Sequence, residues 1–283
     1  MISLGLIGYP LSHSLSPRLH AAAFRAMGVQ GEYRLYPIPP DDMSGLARLA
    51  KRIREGELRG LNVTIPHKQS ILPLVDELTA SASAIGAVNT LVLKKDKLIG
   101  DNTDSPGFLS DLHGSVPDGF RGKKAIVLGA GGAARAVVSA LLGDGWHITL
   151  AVRSTDLEQG TLLISSIGPH GGDGIRGPVL LDAAALRQYS DEINLVVNAT
   201  PVGMLPGTSK SPWPDGLLLP SKAVVYDLVY NPRETALLQQ ARQVGLPAIS
   251  GIGMLVEQAA LSFEIWTGFS PPRDLLFTQV EAV

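Results

Sequence analysis

A lysine and an aspartate are the side chains in this sequence best suited to proton transfer. Lys68 ends the run N-V-T-I-P-H-K, which we interpret as a strand end turning into a helix at Pro66, and Asp104 ends the run D-N-T-D. In one small polar pocket, the two would form an ion pair that positions a substrate hydroxyl and exchanges its proton. Their separation in sequence is not diagnostic, because a single lysine or aspartate is most often solvated or a helix cap. The pair is a hypothesis about acid–base chemistry.

Hydroxyl and amide side chains accompany this pair. Alternation along the predicted strand sends Asn62 and Thr64 to the same side, and Asn89 lies in the run G-A-V-N-T. Ser14 and Ser16 lie two residues apart in G-Y-P-L-S-H-S-L-S-P, where both could direct hydroxyls at a carboxylate held at a helix N-terminus. Ser16 is equally well placed to be a plain N-cap. The two roles differ chemically, since a cap uses an oxygen lone pair and a carboxylate needs the O–H.

A glycine-rich loop between a predicted strand and a predicted helix is the strongest local signal. The apolar strand Lys124–Leu128 runs into G-A-G-G-A-A, and the helix Ala133–Leu142 follows. Gly129 permits a tight turn, Gly131 lets the backbone approach a pyrophosphate, and Ala134 takes the third position of G-x-G-x-x-G/A. Free N–H groups at the helix start suit phosphate oxygens. The flanking elements favour a dinucleotide site over an ordinary glycine-rich turn.

The end of the next strand bears on which dinucleotide binds. A NAD site would carry an acidic residue there, whereas this chain has Arg153 and Ser154. A guanidinium and a hydroxyl suit a 2′-phosphate, so we favour NADP over NAD. Asp156 and Glu158 follow closely and would weaken a phosphate pocket if they pointed into it.

These groups must be positioned by two domains of the α/β class. The chain has 283 residues, of which 45% are hydrophobic and 18% charged, so it buries a sizeable core. The first hundred residues alternate strand-like and helix-like segments, which predicts an open, mostly parallel sheet. We place this first domain at residues 1–105 and a doubly wound Rossmann domain at 106–250, with a cleft between them. The helical residues 251–283 complete the first domain, and Ser262 falls on the repeating face of their first helix.

Composition excludes several other functions. The net charge is −2, which makes nucleic acid and anionic membrane surfaces poor partners. Cysteine is absent, and the histidines show no metal-ligand spacing, so we expect no metal site. The first residues lack a signal-peptide pattern, and the apolar stretch 125–142 is broken by glycines and Arg135. We expect a cytoplasmic protein that acts on a small molecule as a monomer or homodimer.

Taken together, these motifs resemble those of the shikimate dehydrogenase family. The resemblance covers essentially the whole chain and includes, besides the runs above, N-A-T-P-V-G-M, Y-D-L-V-Y-N-P and M-L-V-E-Q. It implies a substrate domain followed by an NADP-binding Rossmann domain, and reversible reduction of 3-dehydroshikimate at C3 in chorismate and aromatic amino-acid biosynthesis. It also implies that Lys68, organised by Asp104, donates a proton to the forming alkoxide.

Site residues follow from the resemblance position by position. The implied substrate contacts are Ser14 and Ser16 for the carboxylate, Asn62, Thr64, Asn89 and Gln258 for the ring hydroxyls, Tyr230 near the carboxylate, and the catalytic Lys68 and Asp104. The implied cofactor positions are Gly129, Ala130, Gly131, Gly132, Ala133, Ala134, Arg153, Ser154, Thr200, Leu228 and Gly251.

One departure from the family pattern leaves alternatives open. The family commonly has Asn-Arg-Thr followed by a further basic residue, where this chain has Val152-Arg153-Ser154 and then Leu157. A single arginine makes the NADP preference weaker. A dual-specificity quinate/shikimate dehydrogenase using NAD or NADP would share nearly every motif. A non-catalytic dinucleotide sensor would have lost Lys68 or Asp104, and both are present.

Overall fold

The computed structural model divides the chain into two compact units. One unit comprises Met1–Gly107 with Leu255–Val283, and the other comprises Phe108–Met254. The residues that the structure describes are 1–117, 119–120, 122–171, 174–189 and 192–281. Among these residues, no helix combines the length and the apolar character needed to cross a bilayer.

Strands and helices alternate along the described chain. In order they are β1 (Ile2–Gly8), α1 (Ser16–Ala26), β2 (Gly31–Pro37), α2 (Met43–Arg54), β3 (Gly60–Val63), β4 (Glu77–Leu78), α3 (Ala80–Ile85), β5 (Thr90–Lys94), β6 (Lys97–Asp101), α4 (Asp104–Ser115), β7 (Lys124–Leu128), α5 (Gly132–Gly143), β8 (His147–Val152), α6 (Leu157–Gly171), β9 (Ile175–Leu180), α7 (Ala183–Arg187), β10 (Leu195–Asn198), β11 (Val224–Asp227), α8 (Ala236–Gln243), β12 (Ala248–Ser250), α9 (Ile252–Thr267) and α10 (Arg273–Glu281). This alternation produces the predicted α/β class.

The sheet of the first unit has the strand order β2-β1-β3-β5-β6-β4. Strand β1 pairs in parallel with β2 and β3, and β4 pairs in parallel with β6. Strand β5 is antiparallel to β3 and β6. The β5–β6 hairpin turns on Lys95 and Asp96, whose φ angles are 49° and 63°, as a two-residue hairpin turn requires. The sheet is therefore parallel except where this hairpin inserts β5.

Helix α2 shows how the sequence pattern covers this sheet. Asp42 is its N-cap and accepts a hydrogen bond from the Gly45 N–H at 2.8 Å. Leu46, Leu49 and Ile53 recur at helical spacing and are buried in the core with residues from β1, β3, β5 and β6. The cap and the apolar stripe together fix both the start of the helix and the face that it buries.

The sheet of the second unit is parallel throughout its described pairings, in the order β12-β11-β10-β7-β8-β9. Counted from β7, this is the 3-2-1-4-5-6 order of dinucleotide-binding sheets. The order reverses between β7 and β10, so the loops after these two strands lie side by side. Buried apolar clusters cover both faces of the sheet, as in doubly wound folds.

The boundaries of the units differ slightly from the predicted ones. The first falls after Gly107 rather than after residue 105, and the second after Met254 rather than after residue 250. Met254 is buried in the core of the second unit. Gly251 also belongs there, because a Cβ at this position would lie 2.3 Å from the Leu228 carbonyl oxygen.

Candidate functional site

Lys68 and Asp104 form a nearly buried ion pair in the first unit. Lys68 Nζ lies 2.5 Å from Asp104 Oδ2, and the side chains are 11% and 6% exposed. Lys68 follows β3 in a turn, not in the helix that the sequence predicted after Pro66. Asp104 is the first residue of α4. A lysine ammonium held in this way can donate a proton, and its charge stabilises a developing alkoxide.

The backbone around the pair is fixed by side-chain hydrogen bonds. The side-chain oxygen Oδ1 of Asn102 accepts from the backbone N–H groups of Asp104 and Ser105, at 3.0 and 3.3 Å, and so caps the start of α4. Its amide donates to the Ala87 carbonyl at 2.9 Å. The carbonyl oxygen of Lys68 accepts from the Val88 N–H at 2.8 Å. Both members of the pair are therefore tied to the segment that precedes Asn89.

Asn89 completes the coordination of the aspartate. Its amide nitrogen donates to Asp104 Oδ1 and to Thr103 Oγ1, each at 2.9 Å. Its carbonyl oxygen accepts from the Thr103 N–H at 2.8 Å and from the Thr90 hydroxyl at 2.9 Å. Each oxygen of the Asp104 carboxylate thus has a partner.

The two polar residues around the end of β3 differ in their partners. The Asn62 amide nitrogen lies within hydrogen-bonding distance of Asn89 O, Thr90 Oγ1 and Ser262 Oγ, and its oxygen accepts from the Tyr33 hydroxyl at 2.8 Å. Its amide hydrogens are used within the protein, whereas its oxygen can accept one more hydrogen bond, and its predicted contact with a ring hydroxyl stays a prediction. The Thr64 hydroxyl, by contrast, has no hydrogen bond to any described residue.

The serine motif before α1 is arranged differently from a simple cap. Helix α1 begins at Ser16, its N-cap position is Leu15, and no side chain caps it. Ser14 Oγ accepts from the Ser16 N–H at 3.3 Å. The N-cap alternative for Ser16 is therefore wrong, because the helix starts one residue too early for it. Its hydroxyl, in a residue only 8% exposed at a helix N-terminus, makes no hydrogen bond within the described chain.

Two further predicted substrate residues lie in different units. Gln258 is on α9 in the first unit, where its Nε2 donates to the Leu255 carbonyl at 2.7 Å and its backbone carbonyl oxygen lies 3.1 Å from the Thr103 hydroxyl. Its side-chain oxygen makes no hydrogen bond to the described residues. Tyr230 follows β11 in the second unit and is partly buried. Its role toward a substrate stays a prediction.

The glycine loop of the second unit has the shape that a pyrophosphate requires. Gly129 has a φ of +103°, and a Cβ there would lie 2.9 Å from Thr200 Cγ2. A Cβ at Gly131 would meet open space, and Gly131 is the N-cap of α5 without a side-chain cap. Ala134 is fully buried, as the third position of the motif requires. The first N–H groups of α5 remain available to a phosphate, so the residues present fit a dinucleotide.

Arg153 at the end of β8 is engaged by a neighbouring acid. Its Nε donates to Asp156 Oδ2 at 2.7 Å, although the Arg153 side chain is 68% exposed. This hydrogen bond holds the pKa of the Asp156 carboxyl below its usual range. Ser154 begins the 3-10 turn Ser154–Asp156. The arginine expected to meet a 2′-phosphate therefore shares its guanidinium with a carboxylate.

A buried aspartate that is not among the predicted site residues organises the segments that follow β10 and β11. Asp227 ends β11 and accepts hydrogen bonds from Asn198 Nδ2 at 2.7 Å, from the Val229 N–H at 3.0 Å and from the Thr235 hydroxyl at 2.6 Å. The Asn198 oxygen in turn accepts from the Thr200 N–H and hydroxyl at 3.0 and 2.7 Å. Burial raises the pKa of the Asp227 carboxyl to about 6. Asn198 and Asp227 stand in the runs N-A-T-P-V-G-M and Y-D-L-V-Y-N-P, but nothing in either run indicates that the two side chains meet.

Comparison with known proteins identifies relatives of both units. The sequence pattern of the shikimate dehydrogenase substrate binding domain matches residues 6–91, and that of the shikimate 5′-dehydrogenase C-terminal domain matches residues 251–276. The chain is 41% identical over 280 residues to the shikimate dehydrogenase (NADP(+)) of Salinibacter ruber, covering 98% of this chain and 96% of that protein.

Solved structures of enzymes with two different names share the fold of this chain. Shikimate 5-dehydrogenase from Thermus thermophilus, in complex with NADP(H) and shikimate, is 35% identical with a TM-score of 0.85, covering 100% of this chain and 99% of that one. Quinate dehydrogenase from Corynebacterium glutamicum, in complex with NAD, is 32% identical with a TM-score of 0.87 and the same coverage of both chains.

Proposed function

This chain belongs to the shikimate dehydrogenase family, and from that premise we propose that it catalyses the NADP-dependent, reversible reduction of 3-dehydroshikimate to shikimate. The reaction is a step of chorismate and aromatic amino-acid biosynthesis. The observation that carries the proposal is the buried Lys68–Asp104 pair, with Asn89 on the second carboxylate oxygen. A pair held from both sides is suited to moving one proton at a defined atom.

We assign substrate binding to the first unit and cofactor binding to the second. In the first unit, the Ser14 and Ser16 hydroxyls at the start of α1 would bind the shikimate carboxylate, since a hydroxyl donates to carboxylate oxygens. Thr64 and Gln258 offer polar side-chain atoms without a partner in the described chain, which suits them to the ring hydroxyls. Asn62 would support Asn89 through its amide nitrogen and offer the second lone pair of its oxygen to a ring hydroxyl. Tyr230 near the carboxylate stays a proposal from the family.

The residues of the second unit would hold the dinucleotide in three parts. The loop from Gly129 to Ala134 and the start of α5 would bind the pyrophosphate. Arg153 and Ser154 would bind the 2′-phosphate. The loops that carry Thr200 and Leu228, together with Gly251, would line the rest of the site.

The catalytic step assigned to this chain is a proton transfer. When bound, NADPH supplies the hydride that adds to the C3 carbonyl of 3-dehydroshikimate. Lys68 donates a hydrogen bond to that carbonyl oxygen and then its proton to the oxygen as negative charge develops there. Asp104 fixes the position of the ammonium group and balances its charge. In the oxidative direction, the same pair accepts the proton from the C3 hydroxyl.

One observation favours a second candidate, a quinate/shikimate dehydrogenase that uses NAD or NADP. The Arg153–Asp156 hydrogen bond puts a carboxylate beside the guanidinium that we assign to the 2′-phosphate of NADP. A carboxylate and a phosphate on one guanidinium repel each other, which would weaken NADP binding and leave NAD unaffected. The residue types of the pocket do not decide between shikimate and quinate. Monomeric or homodimeric state and a cytoplasmic location stay predictions of the sequence.

Initial rates test the proposal directly. Reduction of NADP⁺ and of NAD⁺ would be measured with shikimate and with quinate, in all four combinations on one preparation. We expect rapid turnover with shikimate and NADP⁺. Comparable turnover of quinate or NAD⁺ would support the dual-specificity alternative. Folded protein that binds NADPH but turns over none of the pairs would contradict both and indicate a non-catalytic sensor.

A further inference from the structure

One buried hydroxyl on α9 joins the segments that hold the catalytic pair. Ser262 is fully buried, and its contacts Asn62, Thr90 and Thr103 lie far from it in sequence. We propose that Ser262 is a positioning residue, which orients Asn89 and thereby the Asp104 carboxylate against Lys68. The inference rests on the catalytic role proposed for that pair.

The contacts of Ser262 come from several elements. Its Oγ accepts from Asn62 Nδ2 at 2.9 Å and lies 2.9 Å from the Gln258 carbonyl oxygen. It also lies 2.9 Å from the Thr90 hydroxyl and 3.0 Å from the Thr103 hydroxyl. A hydroxyl has one hydrogen to donate and two lone pairs to accept with, so Ser262 can accept from Asn62 and Thr103 while it donates to Thr90.

The two threonines connect this hydroxyl to the catalytic aspartate. Thr90 Oγ1 donates to the Asn89 carbonyl oxygen at 2.9 Å, and Thr103 Oγ1 accepts from the Asn89 amide nitrogen at 2.9 Å. The Asn89 oxygen also accepts from the Thr103 N–H at 2.8 Å, and these three bonds together distinguish it from the amide nitrogen. The nitrogen is thereby turned toward Asp104 Oδ1, and the opposite amide orientation would face that carboxylate with an oxygen.

Burial makes this network sensitive to the loss of one member. Thr90, Thr103, Asn89 and Ser262 are all buried, so no bulk water would replace a missing partner. Removal of the Ser262 hydroxyl would leave both threonine hydroxyls with one acceptor or donor fewer. Both would then be free to rotate, which weakens two of the bonds that hold Asn89 in the orientation that binds Asp104. The fold would persist, since the apolar core of this unit is a separate cluster.

The structure offers a matched control on the same helix. Thr267 lies five residues after Ser262 and donates to a carbonyl one turn earlier, that of Phe263, at 2.7 Å. It accepts from the Phe269 N–H at 3.2 Å and has no contact with Asn89 or the threonines. A change at Thr267 therefore removes a helix hydroxyl of the same kind without touching the network.

Steady-state kinetics of Ser262→Ala and Thr267→Val test the proposal. We expect Ser262→Ala to lower kcat for shikimate oxidation about 10-fold, a modest part of the effect of a general acid–base group. The KM values for shikimate and NADP⁺ should stay within about twofold, because the lost group would act on the transition state rather than on binding. Thr267→Val should match the wild type in all three constants. A folded Ser262→Ala enzyme with wild-type kcat, or one altered only in KM, would overturn the proposal.

A second variant keeps the test open if Ser262→Ala folds poorly. Thr90→Val is nearly isosteric and removes the bond to the Asn89 oxygen, so it should show the same fall in kcat at little-changed KM. In the Ser262→Ala/Thr90→Val double variant, the fold-decrease in kcat should be smaller than the product of the two single fold-decreases, because both changes interrupt one network. A fold-decrease equal to that product would count against the proposal. Wild-type protein inactive on shikimate would instead refute the proposed function itself.

Discussion

Asn89 donates an amide hydrogen to Asp104 Oδ1 at 2.9 Å, so the carboxylate oxygen that Lys68 leaves unused is also bound. This bond prevents the carboxylate from rotating away from the lysine. An aspartate with only one partner in a buried site would leave an acceptor unsatisfied, which costs about 1–3 kcal/mol. The aspartate is therefore fixed before any substrate arrives, and Lys68 presents its ammonium group from a defined position.

Loss of the lysine should abolish most of the chemical step. We expect Lys68→Ala to lower kcat at least ~10²-fold, with a smaller change in KM, as for the loss of a general acid–base group. Lys51→Ala, on the exposed face of α2, removes a lysine elsewhere in the same unit and should leave both constants unchanged. Steady-state rates with shikimate and NADP⁺ measure both. A large rise in KM at an unchanged kcat would contradict the proposed role.

Ser16 should matter for substrate affinity and not for the stability of α1. A hydrogen bond to a charged group contributes about 1.5–3 kcal/mol, so Ser16→Ala should raise the KM for shikimate at least ~10-fold. The melting temperature should be unchanged, because the Ser16 hydroxyl caps nothing.

Asp42 provides the opposite case for comparison. Its carboxylate does cap α2, and loss of such a cap typically costs about 1 kcal/mol of stability. Asp42→Ala should therefore lower the melting temperature and leave the KM for shikimate unchanged. If Ser16→Ala behaved like Asp42→Ala, the assignment of Ser16 to the substrate carboxylate would be wrong.

Local sequence was sufficient to predict the parts of the molecule that local geometry determines. The strand, glycine loop and helix around Gly129 are contiguous, and the structure has them at Lys124–Leu128 and Gly132–Gly143. Glycine's freedom at positive φ is a property of single residues, and so it is visible in a sequence. The Lys68–Asp104 pair required the family resemblance, because nothing in a separation of 36 residues indicates a contact.

Features that depend on distant contacts could not be predicted in this way. Ser262 is one position on a helical repeat, yet its partners Asn62 and Thr103 lie 200 and 159 residues away. The prediction of Ser16 as an N-cap was wrong for a smaller reason, because α1 begins one residue earlier than that role requires. Asp227 is similar to Ser262, because only the pairing of β10 with β11 brings Asn198 to it.

Cofactor preference should respond to the acid beside Arg153. Asp156→Asn removes the negative charge next to the guanidinium, so we expect the KM for NADP⁺ to fall about threefold. The KM for NAD⁺, which has no 2′-phosphate, should change little. Glu158→Gln is the control, since this exposed carboxylate has no hydrogen bond to the described residues. The measured quantity is the ratio of kcat/KM for the two cofactors. A ratio that moves toward NAD⁺ would show instead that Asp156 orients Arg153 for the phosphate.

The buried His20 should make the stability of the protein depend on pH. Its ring stacks on Tyr33 with centroids 4.1 Å apart, and burial lowers its pKa from 6.5 to about 3. As the pH falls through 6.5, His20 becomes protonated in the unfolded chain but stays neutral in the folded protein. The contribution of His20 to the free energy of unfolding should therefore decrease by about 1.4 kcal/mol per pH unit between pH 6.5 and 3.

His20→Phe keeps an aromatic ring at this position and removes the titration. Its urea midpoint should fall less than that of the wild type between pH 6.5 and 4. The exposed His147 supplies the control, since His147→Gln should follow the wild-type curve. A His20→Phe variant with the wild-type pH dependence would show that this histidine does not titrate differently on unfolding.

Asp227 should act in the opposite direction over part of the same range. Its pKa of about 6 exceeds the ordinary value of 3.8, so between these values the folded state holds a proton that the unfolded chain has released. The stability that this provides is complete below pH 3.8 and is lost as the pH rises through 6, at about 1.4 kcal/mol per pH unit.

The variant Asp227→Asn has no carboxyl group to titrate at this position. Its deficit in unfolding free energy against the wild type should therefore be largest near pH 4 and should shrink until about pH 6, whereas Asp215→Asn, at an exposed position, should show no such trend. Urea unfolding of the three proteins at pH 4, 5, 6 and 7 measures the deficit, and a deficit that stays constant or grows with pH would contradict the raised pKa.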